Sequence, residues 1–181
     1  MDRDLVSRFL SHRDEETFRE LYRRHTPALY LMALRMMGGT GRGAEDAVHE
    51  AWLRAMKGLE AFRWEASLRT WLTGITIRVC QEALRRGPGS GSAGTSLEQK
   101  TGPVAARPSP ESIDLERAVR RLPDGAREVL VLHDIEGLTH QEIGDRLGIG
   151  EGTSKSQLHK ARRALRLLLG NEPIQRGSNR P

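Results

Sequence analysis

The sequence contains one cysteine, Cys80. A lone thiol builds neither a disulfide framework nor a thiolate zinc site, and a reducing compartment is its simplest setting. Long apolar runs are missing too. The best, 28–34, ends at Arg35, far short of the roughly 18 residues of a membrane-spanning helix. The N-terminal MDRDLVSRFL lacks the charged-then-apolar pattern of a secretory signal. The expectation is a soluble, cytosolic protein. Aromatic residues make up 4% of the 181 residues and hydrophobic residues 37%. That is little apolar mass for one compact core, so two small domains fit better. Strand-type alternation persists nowhere, which leaves an all-α fold. The six histidines show no metal-ligand spacing. No phosphate-binding glycine loop and no carboxylate cluster reads as a site. Neither a metal, a cofactor nor enzymatic activity is expected.

The chain does contain a sharp change of character after Arg86. Residues 87–110, GPGSGSAGTSLEQKTGPVAARPSP, hold thirteen Gly, Pro or Ser and no aromatic residue. Such a segment buries too little apolar surface to offset its ordering entropy. It reads as a flexible linker between domains at 1–86 and 111–170, with a disordered tail at 171–181.

Helical periodicity runs through both parts. Asp14 is placed to cap a helix carrying Phe18, Leu21, Tyr22, Leu29, Ala33 and Met36 inward, with Pro27 as a possible kink. Gly38, Gly39 and Gly41 break that pattern. A helix over 44–59 places Val48, Ala51, Trp52, Ala55, Met56 and Leu59 on one face. Another starts near Ser67 and is predicted to bury Leu68, Trp71, Leu72, Ile75 and Val79. In the second part Ser112 and Asp124 are candidate caps for two helices, the first carrying Ile113, Ala118, Val119 and Leu122. The second runs through Val129, Leu130, Leu132 and Ile135 to Gly137.

Thr139-His-Gln-Glu142 is a capping-box sequence. The short helix it opens ends at Gly148, and a long helix over 151–169 follows. A capped short helix, a glycine turn and a longer helix make a helix-turn-helix. Gly144 lacks a side chain where the second helix should cross, and Gly148 can take the left-handed turn conformation. Ile149 reads as the apolar plug, while Ser154 stands where an aliphatic anchor is usual. Charge then separates this motif from a plain helical hairpin. Residues 111–151 carry five Arg against ten Asp and Glu, whereas 152–169 hold Lys155, Lys160, Arg162, Arg163 and Arg166 and no acid. A helix so charged can enter a major groove between phosphates, with Thr153, Lys155, Ser156 and His159 reaching base edges.

All eight aromatic residues precede position 72. Most are expected in the core. The stretch Phe62-Arg-Trp-Glu-Ala-Ser-Leu-Arg-Thr-Trp71 sets aromatics beside cations at a break between helices, which suits stacking on unpaired bases and phosphate contact. Glu45, Asp46, His49 and Glu50 form an acidic stripe opposite the apolar face of their helix. That stripe is a solvated face or a docking surface for a basic protein.

Residues 44–72, AEDAVHEAWLRAMKGLEAFRWEASLRTWL, resemble region two of the extracytoplasmic-function (ECF) sigma factors, the small two-domain sigma subunits of bacterial RNA polymerase. Residues 122–166, LPDGAREVLVLHDIEGLTHQEIGDRLGIGEGTSKSQLHKARRALR, resemble their region four. The resemblance implies core RNA polymerase and promoter DNA, duplex and melted, as partners, commonly an anti-sigma factor as well, and a cytoplasmic, nucleoid-associated place of action. Asp46, His49 and Glu50 would dock on the clamp helices of the polymerase. Arg63, Trp64, Ser67, Arg69, Trp71 and Arg78 would melt and capture the minus-ten element. Thr153, Lys155, Ser156, Gln157, His159, Lys160, Arg162 and Arg163 would read the minus-thirty-five element. The linker would thread toward the polymerase active centre. Five residues depart from the family pattern: His49 for glutamine, Trp64 for glycine, Arg78 for asparagine, Ser154 for valine and Gln157 for arginine. A helix-turn-helix regulator that is not a sigma subunit, a degenerate sigma that opens few promoters, and a nuclease are the alternatives. The acidic stripe and aromatic loop oppose the first, and the missing acidic metal cluster opposes the last.

Overall fold

The computed structural model describes residues 1–39, 41–86 and 110–170, all helix and turn. The expected linker, apart from Pro110, and the expected tail lie outside the described residues. The first half comprises α1 (Asp2–His12), α2 (Glu15–Met36), α3 (Gly41–Gly58), a 3-10 turn (Leu59–Ala61) and α4 (Leu68–Arg86). The second comprises α5 (Pro110–Arg120), α6 (Asp124–Leu130), a π-helical turn (Val131–Ile135), α7 (His140–Leu147) and α8 (Glu151–Gly170).

Local sequence explains the boundaries. Asp14 caps α2, its carboxylate accepting the Thr17 backbone N–H at 2.7 Å and the Thr17 hydroxyl at 2.7 Å. These bonds favour the ionised form and hold the Asp14 carboxyl below its ordinary value. Arg13 turns the chain between α1 and α2 in the left-handed region, at φ 53°. The helix continues through Pro27. Gly38 and Gly39 then take φ 67° and 79°, which ends it.

The buried faces depart from the periodicity in places. In α4 the most buried residues include Thr73, Thr76, Ile77, Cys80 and Gln81 beside Leu68, Leu72 and Val79. Trp71 and Ile75, expected inside, are only half-buried. Thr76 tolerates burial because its hydroxyl donates to the Leu72 carbonyl at 2.9 Å. The helix α5 begins at Pro110, so Ser112 lies within it rather than at its cap; proline suits a first helical turn, where its missing N–H goes unused. Asp124 is the first residue of α6 and not its cap, a position held by Pro123. Beyond Leu130 the helix widens into the π turn. Its changed register leaves Ile135 46% exposed, although the 3.6-residue period puts it inward.

The two halves are docked, and their buried apolar side chains form one continuous core. Arg127 of α6 is the central polar contact. Its side chain is 5% exposed; Nε donates to the Met36 carbonyl at the end of α2 (3.0 Å) and Nη1 to the Leu122 carbonyl (2.8 Å). Nη2 meets Asp124 Oδ1 at 2.5 Å. A cation at the carbonyl end of a helix satisfies an orphan acceptor and complements the macrodipole. The left-handed glycines make room for this approach. A Cβ on Gly38 would lie 3.3 Å from the Arg127 guanidinium carbon, and one on Gly39 would collide with the Arg120 side chain. Arg35 and Glu116 add an ion pair across the same junction at 3.2 Å.

Candidate nucleic-acid interface

The helix-turn-helix forms as its sequence predicts. Thr139 and Glu142 make a reciprocal capping box: Thr139 Oγ1 accepts the Glu142 N–H at 3.2 Å, and Glu142 Oε2 accepts the Thr139 N–H at 2.8 Å. Gly148 takes φ 68° after α7. A Cβ on Gly144 would stand 2.7 Å from the Ile149 carbonyl oxygen, so the turn's own backbone, not α8, occupies that space. Ser154, Leu158 and Ala161 of α8 are buried.

Ser154 does not leave a defect. Its Oγ is hydrogen-bonded to His140 Nδ1 at 2.9 Å. The His140 ring stacks on His133, centroids 4.6 Å apart at 25°. His133 in turn meets Asp134 at 2.8 Å, and Asp134 accepts Arg162 Nη2 and Nε at 2.6 and 3.1 Å. A polar chain thus replaces the expected aliphatic anchor. Desolvation, with the neighbouring His133, pushes the His140 pKa down. The Arg162 hydrogen bond holds the Asp134 carboxyl below its ordinary range.

These contacts sort the residues assigned to the recognition helix. Lys155, Ser156, His159, Lys160 and Arg163 are exposed on the face opposite the buried one, and Thr153 is exposed at its start. Lys155 carries a surface pair to Glu151 at 2.6 Å, a contact that DNA phosphates can displace. Gln157 turns toward α6, its amide nitrogen 3.6 Å from where a Cβ on Gly125 would sit. Arg162 is engaged by Asp134.

The aromatic loop joins the 3-10 turn to α4. Trp64 adopts φ 59°, a left-handed backbone that side chains rarely take. Its ring packs on Phe62 (centroids 4.8 Å), which stacks on Trp71 (4.8 Å, 27°). Arg3 of α1 lies over Trp64, its guanidinium carbon 5.7 Å from the ring centre. Ser67 accepts the Thr70 N–H at 3.0 Å, so it caps the first turn of α4. Arg63 is exposed in the loop. Arg69 and Arg78 are exposed as well, but two and a half turns apart on α4, hence on opposite faces. Arg69 stands near His25, whose pKa is lowered mainly by burial and partly by that charge. Of the six residues assigned to this region, the structure gathers Arg63, Trp64, Ser67 and Trp71; Arg78 lies further along α4, and Arg69 points elsewhere.

The acidic stripe on α3 is divided. Glu45 and Asp46 are exposed. Glu50 accepts Arg54 Nε at 2.7 Å, and Arg54 also clasps Glu82 of α4 at 2.8 and 2.7 Å. His49 belongs to a different feature, an open groove of about 400 Å³ between α2 and α3. Phe18, Tyr22, Trp52, Leu53 and Met56 line it, with Glu15 and Arg19 at the rim. Aromatic contacts at 5.4 to 5.6 Å tie Trp52 to Tyr22 and Phe18, and the indole N–H donates to Thr26 at 2.9 Å. This groove is not legible in the sequence, because Phe18, Tyr22 and Trp52 all read as core. Arg3 was equally silent, since only the fold brings α1 to the loop.

The family models for sigma-70 region 2 and sigma-70 region 4 match residues 21–87 and 112–165. The ECF sigma factor SigM of Mycobacterium tuberculosis is 36% identical over 159 residues, covering 87% of this chain and 79% of the relative. The chain belongs to the ECF sigma factors. SigW of Bacillus subtilis, another ECF sigma factor, is 28% identical over 84% of this chain and 89% of its own length. Among solved structures, the sigma factor RpoE from Bartonella quintana, determined with the anti-sigma factor NepR, superposes with a TM-score of 0.64 at 25% identity. That match covers 86% of this chain and 98% of RpoE. CnrH, determined with the cytosolic domain of CnrY, shares the fold at a TM-score of 0.59 and 24% identity, over 95% and 99% of the two chains. As an ECF sigma factor, the protein directs core RNA polymerase to specific promoters and initiates transcription; such proteins are initiation factors rather than enzymes. Among the described residues, no helix is long and apolar enough to cross a membrane.

Proposed function

We propose how this sigma factor divides its work among its surfaces. The exposed cationic face of α8 reads the minus-thirty-five element as duplex, through Lys155, Ser156, His159, Lys160 and Arg163. This face is the observation that carries the proposal: five exposed polar or basic residues of α8 set opposite its buried stripe, after the capped helix α7. Gln157 and Arg162 act from behind it, one packed toward α6 and the other tied to Asp134. The loop around Trp64, with Arg63 and Trp71, captures an unpaired base at the minus-ten element; stacking and polymerase contacts offset the few kcal/mol of unstacking. Arg78 contacts the melted strand beyond it. The polymerase docks where Asp46 and His49 meet the α2–α3 groove, an apolar surface with a charged rim suited to a helical partner. Glu50 supports that surface from the Arg54–Glu82 cluster. An anti-sigma factor is a further partner, because the RpoE structure is a complex of that kind. The site of action is cytoplasmic, at the nucleoid when polymerase is bound.

The test is run-off transcription with bacterial core polymerase and genomic templates. The expected result is specific initiation above core alone, lost in Lys155→Ala, which gives up roughly 1–3 kcal/mol of duplex affinity if Lys155 reads a base. Polymerase binding without initiation would leave a docking protein and refute the promoter-reading assignment.

A further inference from the structure

The first helix has no part in the assignment above, yet it is fastened to the capture loop at both ends. Near its N-terminus Arg3 covers the ring of Trp64, 5.7 Å from guanidinium carbon to ring centre. Past its C-terminus Arg13 pairs with Glu60 of the 3-10 turn that leads into the loop. The helix cannot drift from this place easily. Leu5, Val6 and Phe9 are buried against the bundle, and Asp2 accepts Arg24 of α2 at 2.9 Å. Arg3 itself is exposed, as is Arg63 in the loop, so solvent and a nucleic acid can reach both.

Trp64 packs on Phe62 at a tilt of 51°, Phe62 stacks on Trp71, and Arg3 lies over the Trp64 ring. The Arg3 guanidinium is a planar, solvent-exposed cation beside the Trp64 indole. Guanidinium planes and indole rings are the two kinds of surface on which unpaired bases stack in single-strand-binding proteins. The left-handed backbone of Trp64 is a local strain whose effect is to hold the indole in this position.

We propose that Arg3 is the outer wall of the base-capture slot: the flipped base of the melted strand inserts between the Arg3 guanidinium and the Trp64 indole. The free protein keeps the slot closed by a cation–π contact, and the base exchanges that contact for two stacking faces. Because the pocket has a planar cation on one side, it takes bases by their faces and adds a charge near the strand's phosphates. The proposal rests on the reading of the loop as the capture site.

The experiment uses holoenzyme assembled with core polymerase and a single-stranded oligonucleotide carrying 2-aminopurine at the captured position. Arg3→Ala is expected to weaken binding about tenfold, the scale of one lost stacking face, and to restore 2-aminopurine fluorescence that the parent quenches. Arg3→Lys keeps the charge but not the plane, so it should regain salt-dependent affinity without the quenching. Binding of a minus-thirty-five duplex should not change. If Arg3→Ala matches the parent while Trp64→Ala fails, Arg3 is not a wall of the slot. If both match the parent, the capture-loop reading itself is wrong. Equal losses on single strand and duplex would show a general loss of structure and would also overturn the assignment.

Discussion

Arg127→Met is the most direct probe of the docked arrangement. Methionine approximates the aliphatic stem but removes the guanidinium of a side chain that is 5% exposed, which holds the Met36 and Leu122 carbonyls and Asp124. Only the Met36 bond crosses between the halves. A hydrogen bond from a charged donor is worth about 1.5–3 kcal/mol. The Asp124 side chain is 65% exposed, so its pairing adds little and its charge is not stranded by the loss. Docking should therefore weaken by about 1.5–3 kcal/mol, which shifts the balance between docked and separated halves by roughly 10- to 150-fold. The Leu122 bond lies within the second half and contributes to its own stability, so a second variant is needed. Arg35→Ala removes only the Arg35–Glu116 ion pair across the junction, a smaller loss of about 0–1 kcal/mol. Spin labels on the exposed faces of α3 and α8 report the separation by pulsed electron resonance. The expected outcome is a new, broad, longer distance in Arg127→Met, a fainter one in Arg35→Ala, and intact helicity in both. An unchanged distance distribution in Arg127→Met, with α8 still folded, would refute the argument that this guanidinium latches the halves together.

Two further outcomes follow from local geometry. Gly144→Ala places a Cβ 2.7 Å from the Ile149 carbonyl; it should lower the melting temperature of the second half and abolish duplex binding, whereas alanine at exposed Gly152, where nothing lies within 4 Å of the new Cβ, should do neither. Glu128 sits at the junction near Cys80, and burial, reinforced by Asp124, raises its pKa above 4.5. The folded chain then holds this proton more tightly than the unfolded chain does. Its contribution is fully present below about 4.5 and is lost as pH rises through the raised folded value. Glu128→Gln should thus raise the melting temperature at pH 7 and flatten its fall between mildly acidic and neutral pH, measured by calorimetry.

The fold was legible where local chemistry decides structure. The Asp14 cap, the Thr139–Glu142 box and the Gly148 turn each follow from side chains within four residues of one another, and each formed as read. The polarity of the second half was legible too, because charge needs no register. Errors arose where tertiary packing overrides periodicity. In α4 two threonines and a glutamine lie deeper than Trp71 and Ile75, since the second half packs against that helix and covers a different face. The π turn moved Ile135 to the surface by changing the period within one turn. Ser154 read as a flaw because its compensation, His140, lies fourteen residues away on another helix. The same distance problem hid Arg3 from Trp64 and Arg127 from Met36. The α2–α3 groove was hidden by an opposite ambiguity: its aromatic lining has the spacing of a core.

Trp64 bears on how this protein could change over generations. An L-residue in the left-handed region costs about 1–2 kcal/mol relative to glycine, and the φ of 59° puts Trp64 there. Glycine at this position would relieve that strain but give up the indole's packing on Phe62 and the core. Such a variant would leave α8 unchanged, yet remove the indole proposed above to hold the melted strand. On the proposed reading, backbone strain and strand capture meet at this one residue, so a side chain that costs local stability is kept for what its ring holds.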